Sequence, residues 1–125
     1  MPKSNRSLFA LRTLAFAQQG GRCWYCQVRM WNVCPSELPG LDAGCYRHLK
    51  ATAEHLQARC DGGKDVPQNI VAACARCNHT RHRRKIPPAP APYKREIAKR
   101  IRSGRWHTRD VHVRGLVLLS KPPRP

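Results

Sequence analysis

Apolar positions along the chain fall into four zones of different period. Between Met1 and Gly21, Leu8, Leu11, Ala15 and Phe16 recur at the spacing of one helix face, with Ser4 or Ser7 as an N-cap and Gly20-Gly21 as a stop. This predicts an amphipathic helix that covers a small core. Arg12 interrupts the apolar run and no small-residue cleavage site follows, so the segment does not read as a secretion or transit signal. Residues 22–85 predict a strand ending near His55, a turn at Asp61-Gly62-Gly63, a return from Asn69 through Ile-Val-Ala-Ala to Cys74, and a helix opening at Cys77. On that helix Asn78 and His82, four residues apart, share a face. Pro35, Pro39, Gly40 and Gly44 mark residues 27–50 as a loop without an evident role. The prolines from Ile86 to Pro92 predict an extended polyproline spacer, followed by a basic helix over Tyr93–Arg105 whose apolar edge is Ile97 and Ile101. Val111–Ser120 predicts one strand, and Lys121–Pro125 a frayed end. The organisation expected is therefore an N-terminal helix (1–21), a functional module (22–85), and a spacer with a basic C-terminal extension (86–125).

Length and charge narrow the functions open to this pattern. A chain of 125 residues supports one domain with a modest core and excludes a large multidomain enzyme. No stretch approaches the roughly 20 apolar residues that span a bilayer, so a membrane role is not expected. Lysine and arginine number 24 against 7 acidic residues, a formal charge of +17. A field of that size calls for a polyanionic partner, and nucleic acid fits best, because neutralised phosphates release counterions. The charge is concentrated: between Asn78 and Arg109 lie eleven basic residues, among them Arg81, Arg83, Arg84, Lys85, Lys94 and Arg95, against Glu96 alone. This run is expected to track a phosphate backbone, with Arg81 and Arg84 clamping phosphates; Trp106 is the better base-stacking candidate among the aromatics, against the commoner fate of core packing.

Seven cysteines, an odd number, without a signal peptide point to reduced thiols in a cytoplasmic setting rather than a disulfide framework. Cys23-Trp-Tyr-Cys26 and Cys74-Ala-Arg-Cys77 each turn two sulfurs toward one point, and together they supply the tetrahedral sulfur cage of a structural Zn²⁺. A thioredoxin-like redox site needs one such pair in a βαβ setting, which this pattern lacks. Cys34, Cys45 and Cys60 have no paired spacing and are expected to be packed, with a second site formed by Cys34, Cys45 and His48 as the weaker alternative. Trp24, Tyr25 and Trp31 are expected around the zinc knuckle, and His79, His107 and His112 to face solvent or nucleic acid.

Taken singly, a histidine at a strand end and an asparagine at a helix start are ordinary surface and cap residues. In order, Cys23-x-x-Cys26, Glu54-His55, Asp61-Gly62-Gly63, Asn69-Ile-Val and Cys74-x-x-Cys77-Asn78-x-x-Arg81 closely resemble the HNH endonucleases, in particular their zinc-stapled, treble-clef-like ββα-metal members. The resemblance spans residues 22–85, about half the chain. It implies an α+β fold, a small zinc-stabilised ββα-metal module with flanking N- and C-terminal helices, and hydrolysis of DNA phosphodiester bonds with one divalent ion. In that scheme His55 is the general base, Glu54 the first metal ligand, Asn69 the brace of the hairpin, Asn78 the final metal position and His82 an extra ligand. Glu54 departs from the Asp or His commoner at its position. The chemistry agrees: an imidazole can take a proton from water near neutral pH, and carboxylate and amide oxygens suit Mg²⁺ or Mn²⁺, with the His82 imidazole widening the choice to Ni²⁺ or Zn²⁺.

A catalytically silent zinc-finger module that binds nucleic acid is the rival reading, since zinc and charge alone would satisfy it; it has no need of Glu54-His55 with Asn78. Further alternatives are a homodimer, or an accessory protein in a larger phage-packaging or restriction assembly.

Overall fold

In the computed structural model, residues 7–117 are described, apart from the Val113 side chain. The candidate cap Ser4, the end of the expected strand at 118–120 and the expected frayed end at 121–125 lie outside the described residues.

Helix α1 (Leu8–Gln18) begins at Ser7, whose side chain accepts the backbone N–H of Ala10 at 3.1 Å. Leu11 and Ala15 are its buried positions, while Leu8 and Phe16 are half-buried. Just past its end, the Gln19 amide accepts the N–H of Ala72 at 2.9 Å and donates to the Ala72 carbonyl at 2.8 Å, which ties the helix to a strand edge. Gly20 and Gly21, with φ of 65° and 75°, turn the chain away from the helix.

The expected hairpin is present. Strand β1 (Ala51–His55) pairs antiparallel with β2 (Ile70–Cys74), Glu54 opposite Val71 and His55 opposite Ile70. Helix α3 (Ala75–Arg83) follows β2 without a break. It starts two residues before the expected Cys77, because Cys74 is itself the N-cap and its sulfur accepts the N–H of Cys77. The 27–50 stretch is more ordered than its prolines suggest: it holds a 3-10 turn at Pro35–Glu37 and helix α2 (Ala43–Leu49), whose Cys45 and Leu49 enter the core.

Beyond the hairpin the structure departs from expectation in two places. The extended proline segment ends at Ala89, and Pro90 opens helix α4 (Pro90–Arg102), where proline's fixed φ and missing N–H suit a first turn. Tyr93, Ile97 and Ile101 line its buried edge, and the Tyr93 ring meets Tyr25 edge-on at 5.0 Å. Where described, the strand expected at Val111–Ser120 is instead helix α5 (Arg109–Val113), begun at Thr108 and ended at Gly115 with φ of 69°; among its described residues only Val117 bridges in strand fashion, to Val28. One core gathers both CxxC pairs, Leu49, Ala72, Tyr93, Ile97, Trp106 and Val111. No described helix is long and apolar enough to cross a membrane.

Candidate active site and zinc centre

The four CxxC cysteines meet as the spacing predicts. The sulfurs of Cys23, Cys26, Cys74 and Cys77 all lie within 4.8 Å of one another and all four residues are buried. Zn–S bonds of about 2.3 Å set tetrahedral S–S edges of about 3.8 Å, and Cys26 and Cys74 stand 3.8 Å apart. The set therefore fits a structural zinc. The acid–base balance of the sulfurs agrees with that. Burial pushes the Cys26 and Cys77 thiols well up, while at Cys23 hydrogen bonds from the other three sulfurs outweigh burial and hold its thiol well below the usual range. A bound cation is what would let all four ionise together.

Each sulfur also faces a nitrogen. Cys23 accepts from the backbone of Tyr25 and Cys74, at 3.4 and 3.2 Å, and Cys74 from that of Cys77 at 3.4 Å. The other two depend on the chain's far end: Trp106 Nε1 donates to Cys77 at 3.3 Å and His107 Nε2 sits 3.2 Å from Cys26. Of the two, His107 corrects the sequence reading, and Trp106 takes the commoner of its two expected fates, core packing. Trp106 is buried against the cluster rather than free to stack on bases, and His107 is buried rather than solvent-facing, with burial lowering its pKa to about 4. Cys45 is packed as expected, but Cys34 and Cys60 are exposed.

Beside this cluster, an open groove of about 470 Å³ is lined by Leu8, Ala53, Glu54, His55, Ala58, Arg59, Cys60, Asn78 and His82. The hairpin contributes Glu54 and His55 and α3 contributes Asn78 and His82, so the four residues singled out in the sequence do converge. Glu54 is 2% exposed. Its Oε2 accepts from the Tyr25 hydroxyl at 2.9 Å and Arg81 Nη1 at 3.0 Å, and its Oε1 lies 3.0 Å from His82 Nε2. Burial and the neighbouring Glu54 charge keep the Tyr25 phenol protonated. Arg81 is thereby taken out of the phosphate-clamping role expected of it: it is buried, and its Nε donates to the Pro88 carbonyl at 2.8 Å. Arg84 is likewise paired with Glu96, and Lys94 lies over the Trp24 ring at 4.1 Å, while Arg83, Lys85 and Arg95 are exposed.

The orientation of Asn78 follows from its partner. Thr52 spends its one hydroxyl proton on the Ala73 carbonyl, at 2.7 Å, so it can only accept from Asn78 Nδ2, at 2.8 Å. The amide oxygen of Asn78 is left without a partner among the described residues. Glu54 Oε1, His82 Nε2 and Asn78 Oδ1 are thus donors of the kind a divalent ion takes, and the 3.0 Å between the first two equals the separation of adjacent ligands about 2.1 Å from an octahedral ion. By that spacing Glu54 and His82 fit such an ion, although Arg81 Nη1 also stands 3.3 Å from the same His82 nitrogen.

Asn69 lies outside the groove and braces the loop beside it. Its Oδ1 accepts the Gln57 N–H at 2.7 Å, and its Nδ2 donates to the carbonyls of Gln57 and Lys64, both at 3.0 Å. Between those contacts, Gly63 presses on the chain so closely that a Cβ would stand 1.8 Å from the Gln57 oxygen. Gly63→Ala is expected to cost about 1–3 kcal/mol through forced backbone movement, measured by chemical denaturation; a variant as stable as the parent would contradict this close approach.

One residue was not singled out by the sequence. Asp65, on the braced loop, has Oδ1 at 2.8 Å from His55 Nε2, and Arg59 grips both of its oxygens, at 3.2 and 2.7 Å. Ten residues separate His55 from Asp65 across an irregular loop, so no period or spacing marks the pair; only the shortness of the Gly63 turn hints that the loop doubles back.

Residues 43–84 match the HNH endonuclease family model. No curated protein and no solved structure matches the chain significantly. The matched span holds the hairpin, α3 and the whole set of groove residues from Glu54 to His82, while the first zinc pair, Cys23 and Cys26, lies before it.

Proposed function

We propose that this HNH module is a metal-dependent endonuclease that hydrolyses DNA phosphodiester bonds, with His55 as general base and Glu54, Asn78 and His82 as ligands of one divalent ion. The observation that carries the reading is the convergence in one groove of a histidine and three metal-suited donors, with His55, Glu54 and Asn78 each already held by a neighbour. Orientation before substrate arrives is what catalysis requires and what simple binding does not. In this reading residues 22–85 carry the chemistry, and Tyr93, Trp106 and His107 close over its zinc centre.

His55 takes the proton of the water that attacks phosphorus, opposite the leaving 3′ oxygen. Arg81 and Tyr25 hold the Glu54 carboxylate in place, and Thr52 holds the Asn78 oxygen outward. A bound Mg²⁺ or Mn²⁺, or with His82 also Ni²⁺ or Zn²⁺, would stabilise the charge that develops on the phosphate and the leaving oxygen. The exposed Arg83, Lys85 and Arg95 supply positive charge for the flanking backbone.

Incubating supercoiled plasmid with the purified protein tests this. Cleavage is expected with Mg²⁺ or Mn²⁺ and none in excess EDTA. Salt-sensitive DNA binding without cleavage across Mg²⁺, Mn²⁺, Ni²⁺ and Zn²⁺ would instead favour the silent zinc-finger reading.

A further inference from the structure

We propose that Asp65 is the positioning residue of His55, fixing the imidazole as the tautomer that carries its proton on Nε2 and offers Nδ1 to the attacking water. The inference rests on the nuclease reading of the groove and adds to it a residue and an atom.

A neutral imidazole has one nitrogen that donates and one that accepts, and a base needs its accepting nitrogen turned toward the water. A carboxylate can only accept. At 2.8 Å from Asp65 Oδ1, His55 Nε2 must therefore carry the hydrogen, and no other hydrogen bond reaches the ring among the described residues. The accepting lone pair is left on Nδ1.

The arrangement that makes Asp65 fit for this is built from its neighbours. Arg59 binds the carboxylate through Nε and Nη2, so Asp65 presents one fixed oxygen to the ring instead of rotating freely. His55 and Arg59 together hold the Asp65 carboxyl below the usual range, which keeps it an acceptor. The backbone beneath it is fixed from both sides: the Lys64 carbonyl accepts from Asn69, and Gly63 N–H donates to the Ala58 carbonyl at 2.8 Å. The brace role expected of Asn69 thereby gains a purpose, since the loop it holds delivers Asp65 to the base.

The test combines a spectrum of the parent with two variants. In the parent, the imidazole ¹⁵N spectrum of His55 at a pH where the ring is neutral is expected to show the Nε2–H tautomer; an Nδ1–H tautomer would overturn the inference without any variant. Asp65→Ala and Asp65→Asn are each expected to lower plasmid cleavage at saturating metal and DNA by roughly tenfold to a hundredfold. DNA affinity and zinc content should stay within about twofold, and the His55 signals of Asp65→Ala should move toward a mixture of tautomers. A purely structural role would not move the tautomer. Cleavage at the parent rate by a folded Asp65→Ala would sink this inference alone, whereas a parent inert toward DNA with every metal tried would sink the nuclease reading itself.

Discussion

Replacing Cys77 by serine is expected to unfold the domain, and stripping its metal with a strong chelator should do the same. The four sulfurs sit at the centre of the core, at most 3% exposed, and the two halves of the fold meet there: the knuckle that carries Tyr25 and the junction of β2 with α3. Without a cation, burial pushes two of the thiols toward the neutral form and leaves a polar pocket in a small core. With zinc, the cluster contributes on the order of 10–16 kcal/mol, as much as or more than the roughly 5–15 kcal/mol by which a domain is stable at all. The loss should reach the C-terminal residues too, because Trp106 and His107 point their ring nitrogens at Cys77 and Cys26. Elemental analysis should find one zinc per chain, and circular dichroism should report loss of helix on chelation. A chelated protein that keeps its spectrum and melting temperature would overturn the assignment.

That dependence on distant residues marks where the sequence ceases to be legible. The CxxC pairs, the hairpin and the shared face of Asn78 and His82 are local: two sulfurs three residues apart or two side chains one helical turn apart must meet whatever the rest of the chain does. Helix α4 was readable for the same reason, its buried edge recurring at Ile97 and Ile101. Trp106 and His107 meet sulfurs 29 and 81 residues away, and nothing near them in the chain says so. Val111-His-Val-Arg-Gly reads as alternation, yet Thr108 starts a helical turn and Asp110 pairs with Arg114 one turn on, at 3.0 Å, so i,i+4 geometry prevails over period two. Arg81 misleads in another way. Composition puts it in a basic run bound for phosphate, but helical phase carries it inward to Glu54, and a buried carboxylate needs its cation more than DNA needs one more arginine.

The same buried pair decides which substitution probes the chemistry most cleanly. Glu54→Ala would strand the Arg81 guanidinium in the interior, a change that costs about 3–5 kcal/mol where buried pairs have been broken, so lost cleavage would mix lost metal with lost fold. His55 is different. Its side chain is partly exposed at the groove and its hydrogen bond runs to Asp65, itself a third exposed on the loop. His55→Ala is therefore expected to keep zinc content, helix content and DNA affinity near the parent values, while single-turnover cleavage falls by roughly 10²- to 10⁴-fold, the scale of a lost general base. The loss should persist at saturating Mg²⁺ or Mn²⁺, because the missing group accepts a proton and holds no ion. Glu54→Gln and Asn78→Ala should instead raise the metal concentration needed for half-maximal cleavage. Parent-rate cleavage by purified His55→Ala would remove the base from His55, and recovery of that variant by added metal alone would make His55 a ligand in place of a base.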